Sequence, residues 1–90
     1  MSKVVKRVRK FLQRENNNYV AHVVRTNDGK YYYVDTADTF DIGPETMVFR
    51  FDEKKDVVAS FTELYAERYA TMEEAYAKHE QIIDNLESYL

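Results

Sequence analysis

The chain has no cysteine, which excludes disulfides and any thiolate metal site. Only two of its 90 residues are glycine, so no glycine-rich phosphate loop can be built. No stretch approaches the roughly 18 consecutive apolar residues of a membrane-crossing helix. Nor does a short apolar segment with a cleavage site follow Met1. The protein is therefore expected to be cytoplasmic, neither spanning a membrane nor secreted. Tryptophan is also absent, but eight Tyr and five Phe supply aromatic bulk, and a hydrophobic fraction of 44% is enough for an ordered core. A chain this short buries only roughly 60 to 65% of its unfolded surface. One small domain over residues 1–90 is the expectation.

Acid is scarce in one place only. Residues 1–14 carry Lys3, Lys6, Arg7, Arg9, Lys10 and Arg14 and no carboxylate, a charge of +6. Of the 13 basic residues, seven remain for the rest of the chain, against all 16 acids, a charge of −9. A basic arm thus precedes an acidic body, and the two can attract each other or recruit different partners.

In residues 2–15 the apolar positions Val4, Val5, Val8, Phe11 and Leu12 fall on one helical stripe with the basic residues behind it. This spacing predicts a short basic amphipathic helix over 1–15. A strand is the competing reading, because three Val lower helix propensity. Asn16, Asn17 and Asn18 read as a loop. Two Tyr- and Val-rich runs, 19–26 and 31–36, flank Asn27-Asp28-Gly29-Lys30 and predict a hairpin. Gly43-Pro44 then turns the chain into a strand over 45–51, where Met47, Phe49 and Phe51 alternate with Thr46, Val48 and Arg50. A charged turn at 52–56 leads to a fourth strand from Val57 toward Phe61. Residues 65–69 fit either a sheet edge or the approach to a helix. Thr71 and Glu74 have the spacing of a capping box, and the stripe Met72, Ala75, Tyr76, His79, Ile82, Ile83, Leu86, Tyr89 and Leu90 predicts one helix over 71–90. The expected fold is α+β: a four-stranded antiparallel meander in 19–69 covered by that helix, with the basic arm as an accessory.

Several of these residues carry a resemblance. Asp35-Thr36, Gly43-Pro44-Glu45-Thr46-Met47-Val48-Phe49, and Arg68-Tyr69-Ala70-Thr71 with Glu74-Ala75 and His79 resemble a group of short uncharacterised proteins of bacteriophages and prophages. The shared signature is Gly-x-Glu-Thr-Met-Val-Phe, and the match covers roughly residues 35–80 of this chain. The resemblance implies a phage context. It implies no reaction, cofactor or binding residue.

No catalytic or metal constellation stands out. His22 and His79 lack a third ligand or a His-x-x-x-His spacing, and each reads as a packed structural histidine. Asp35, Asp38 and Asp41 lack the pattern of a calcium loop and read as solvated turn residues. No cofactor is expected. The leading expectation is a non-catalytic interaction protein that binds and modulates a host protein, as an anti-defence or nucleic-acid-mimicking inhibitor. Its contacts would come from Glu73, Glu80, Asp84 and Glu87 on the helix back, and from Tyr31 and Tyr33. An alternative is a nucleic-acid-binding accessory using Lys6, Arg7, Arg9 and Lys10. For the arm itself, docking on the chain's own acidic surface is the favoured expectation, ahead of an acidic protein partner, nucleic acid or an anionic membrane. A structural homo-oligomer is a third alternative.

Overall fold

The computed structural model describes residues 3–8, 19–39 and 41–90. Six strands form one antiparallel sheet: β1 Lys3–Val8, β2 Tyr19–Arg25, β3 Tyr31–Thr39, β4 Gly43–Asp52, β5 Val57–Val58 and β6 Tyr65–Arg68. Strands β1 to β4 lie side by side in chain order, and β5 and β6 both pair with the outer edge of β4. Helix α1, Met72–Asp84, and a 3₁₀ turn, Leu86–Tyr89, follow.

The hairpin reading holds. Strands β2 and β3 meet at Asn27-Asp28-Gly29, where Gly29 takes φ +84° and its N–H donates to the Thr26 carbonyl at 3.0 Å. Asp28 accepts from the Thr26 hydroxyl, which holds its carboxyl below the ordinary carboxylate range. The second turn uses Gly43 at φ +90°, while the Thr39 hydroxyl donates to the Gly43 carbonyl at 2.8 Å. Strand β4 is the inner strand that its alternation suggested, with β3 on one side and β5 and β6 on the other.

Two expectations are corrected. The sheet has more than four strands, and no helix covers the N-terminal residues that are described. Lys3–Val8 pairs with β2 instead, with a bulge between Val4 and Lys6. Three β-branched valines beside an exposed hairpin edge favour pairing over an isolated helix of about a dozen residues, which is marginal in water. The rest of the expected helix, residues 9–15 with Arg9, Lys10, Phe11 and Leu12, and the Asn16–Asn18 loop lie outside the described residues. At the other edge, β5 and β6 are two parts of one interrupted strand along β4. Ala59 donates to the Arg50 carbonyl at 2.9 Å and Leu64 to the Val48 carbonyl at 2.8 Å, and the chain bulges outward between them. The fourth expected strand therefore stops at Val58, and the ambiguous residues 65–69 supply strand β6.

Helix α1 starts as expected. Thr71 caps it by accepting from the Glu74 N–H at 3.2 Å. It ends earlier than the apolar stripe suggested, at Asn85, whose amide side chain donates to the Ser88 hydroxyl at 2.6 Å. The break resets the phase of the stripe. Leu86 still reaches the core, but Leu90 is 48% exposed. Ala75, His79, Ile82 and Ile83 face the sheet, and the helix packs over Val24, Tyr32, Val34 and Val48. Each fully buried aliphatic side chain there contributes roughly 1.5 to 3 kcal/mol. The helix thus covers the Thr46 and Val48 side of β4, and the row Met47, Phe49 and Phe51 faces the opposite side of the sheet.

Candidate functional site

Beneath the helix a chain of polar side chains crosses the sheet. The turn that pairs Thr39 with Gly43 also carries Thr36 opposite Thr46. Their hydroxyls lie 2.6 Å apart, both residues fully buried. His79, also fully buried, comes down from α1 onto this pair, with Nδ1 2.7 Å from the Thr36 hydroxyl. Its Nε2 lies 2.9 Å from Nδ1 of His22 on β2. Beyond Thr46 lies the Tyr69 phenol. Tyr69 in turn donates to Glu67 at 3.5 Å, and Glu67 also accepts from Tyr65.

Each hydroxyl has one proton to donate, and a neutral imidazole has one N–H. The relay of His22, His79, Thr36 and Thr46 is therefore satisfied when every proton along it points the same way, from His22 toward Thr46 or from Thr46 toward His22. Burial pushes the Tyr69 phenol up to about 12, with the nearby Thr46 hydroxyl opposing the rise and the Glu67 charge adding to it. Burial and the Glu67 hydrogen bond likewise raise Tyr65. The relay locks the helix in register on the sheet. Among the described residues no group of three or more His, Cys, Asp or Glu could hold a metal ion. Asp35 and Asp38, three positions apart on β3, point to opposite faces, and Asp41 lies in the turn, so the three acids do not converge.

The residues behind the phage resemblance have internal roles. Thr36, Thr46 and His79 belong to the relay, Tyr69 donates to Glu67, Thr71 caps α1, and Ala75 is fully buried where the helix meets the sheet. Arg68 pairs with Glu45 at 3.6 Å across β4 and β6.

The other nominated residues are spread over the surface. Glu73, Glu80 and Asp84 are exposed on the outer side of α1. Glu87 is exposed on the 3₁₀ turn and accepts from the Asn27 N–H at 2.9 Å, tying that turn to the first hairpin. Tyr31 and Tyr33 are half-buried on the face away from α1, whereas Tyr32 belongs to the core. Tyr33 is engaged internally. Its hydroxyl lies 2.7 Å from that of Tyr19, its ring stacks on Phe51 at 6.4 Å, and burial raises its phenol. Lys6 and Arg7 sit on edge strand β1, in register with Val23 and His22. Arg9 and Lys10 are outside the described residues.

Sequence reasoning treated the two histidines separately and gave Thr36 and Thr46 no role. The register implied by the Gly43-Pro44 turn was the signal that would have paired the threonines. No family model matches the chain, and no curated protein or solved structure matches it either.

Proposed function

We propose that the protein is a small non-catalytic interaction module of phage or prophage type that acts in the cytoplasm. It binds a basic surface of a host protein through the outer side of its C-terminal helix. One observation carries this reading. With Ala75, His79, Ile82 and Ile83 committed to the sheet, Glu73, Glu80 and Asp84 are left outward in a row. Lys78, the one lysine of α1, rests over the Tyr89 ring at 5.3 Å and adds little positive charge to that row. Carboxylates at such spacing attract a cationic partner and steer its approach.

The test is affinity capture of tagged protein from bacterial lysate with and without nuclease, read by mass spectrometry. A stoichiometric host protein that survives nuclease supports the reading, and its absence counts against it. A second reading is favoured by edge strand β1, which brings Lys3, Lys6 and Arg7 onto one outer strand. Binding of nucleic acid there would show a steep salt dependence. Because β1 belongs to the sheet, the variant to use is Lys6, Arg7, Arg9 and Lys10 all changed to Gln, not a deletion. Loss of nucleic-acid capture in that variant would favour this second reading.

A further inference from the structure

A shallow cleft of about 270 Å³ opens beside the C-terminal turn, lined by Tyr32, Arg50, Leu64 and Leu90. Tyr32 and Arg50 are direct cross-strand partners on β3 and β4, so their side chains leave the same face of the sheet. Leu64 is held there by its N–H bond to the Val48 carbonyl, and Leu90 follows the 3₁₀ turn. Tyr32 is 8% exposed and forms the floor, while Leu64 and Leu90 remain 44% and 48% exposed as walls.

Arg50 is the charged member of the lining. Two other described cations are engaged by carboxylates, Arg68 by Glu45 and Lys30 by Asp28. Arg50 is exposed, and among the described residues no carboxylate pairs with its guanidinium. A guanidinium presents a planar fork that fits a carboxylate with two parallel hydrogen bonds. The rest of the lining is apolar apart from one phenol. That composition suits a monoanion with an apolar body, since one guanidinium balances a single negative charge and the second charge of a phosphate would face an otherwise apolar lining. Size narrows the class further. A cavity of about 150 Å³ holds benzene, so this cleft has room for one ring and a short carboxylate-bearing arm.

We propose that the cleft binds a monocarboxylate attached to a single aromatic or branched apolar group, with the carboxylate on Arg50 and the apolar group against Tyr32, Leu64 and Leu90. A free aryl-alkanoic acid and a protein chain ending in an apolar residue both carry this chemistry. The site is separate from the outer row of α1, so it stands or falls independently of the function proposed above.

The experiment is an amide NMR titration of the full chain with 3-phenylpropionate, 3-phenylpropionamide and the peptide acetyl-Gly-Gly-Phe. The expected result is saturable shifts at Tyr32, Arg50, Leu64 and Leu90 with the two carboxylates, and at least tenfold weaker binding of the amide. R50Q should lose at least tenfold in affinity, R50K less, and L64A should weaken both acids while the spectrum stays dispersed. Tighter binding of the peptide assigns the ligand to a chain terminus, and tighter binding of 3-phenylpropionate assigns it to a free acid. Equal binding of the amide, unchanged affinity in R50Q, or shifts centred elsewhere would overturn the proposal.

Discussion

His22 and His79, 57 positions apart in the chain, meet nitrogen to nitrogen at 2.9 Å, Nδ1 of one facing Nε2 of the other. Only one of these nitrogens can carry the shared proton, so the two tautomers are coupled through the bond. His79 also touches the Thr36 hydroxyl with its second nitrogen, so both sides of its ring are hydrogen-bonded inside the core. A buried polar group of this kind stabilises only while its partners remain.

Removing His79 should therefore cost more than its apolar contacts alone. H79A leaves a cavity and strips a partner from both Thr36 and His22, and about 2 to 5 kcal/mol of stability should be lost in urea unfolding. T36V should cost less, about 1 to 3 kcal/mol, and the two losses should not add, because both residues belong to one network. Simple additivity would mean that the relay does not act as a unit.

Alkaline pH should loosen the helix. The Tyr69 phenol ionises near 10.0 in a free chain and is pushed up to about 12 here. Because the folded pKa is the higher one, the folded state keeps the proton longer. The associated stability is complete below pH 10, declines above it and is gone once pH passes about 12. Burial also raises Tyr19, Tyr33 and Tyr65, so they act in the same direction. Thermal unfolding followed from pH 8 to pH 12 should show this loss, and Y69F should flatten it. An unchanged slope in Y69F would argue against the burial of that phenol.

How much of this was legible in the sequence depended on the range of each signal. The first hairpin was readable because Asp28-Gly29 dictates its turn locally, and the start of α1 because Thr71 and Glu74 cap it within one turn. Strand β1 was not, since Val4, Val5 and Val8 fit a helical stripe as well as a strand, and only pairing with β2 decides between them. The helix-facing side of β4 was also hidden. Met47, Phe49 and Phe51 form the more apolar row, yet the helix lies over Thr46 and Val48, where His79 completes the threonine pair. A hydrogen bond between distant residues leaves no periodic trace. Of the nominated surface residues, exposure agreed for Glu73, Glu80, Asp84 and Glu87, while Tyr33 was already committed to Tyr19 and Phe51.

Two local substitutions separate backbone effects from packing. At Gly43, with φ +90°, a Cβ would meet no atom within 4 Å, so any cost of G43A is conformational. It should be about 1 to 2 kcal/mol, with G43N costing less. T71A removes the acceptor of the Glu74 N–H and should cost about 0.5 to 2 kcal/mol. Denaturant midpoints at constant slope would measure both, and a neutral T71A would show that the cap contributes nothing.

Binding through α1 is tested most directly with the triple variant E73Q/E80Q/D84N, which raises the formal net charge from −3 by three without touching the relay or the Glu87 contact. Its affinity for the captured host protein should be measured by calorimetry beside that of the unaltered chain, at low and physiological salt. A loss of at least tenfold, with unchanged thermal stability and a weaker salt dependence, is the expected result. Equal affinity and equal salt dependence in the two proteins would contradict the claim that the outer side of the helix is the binding surface.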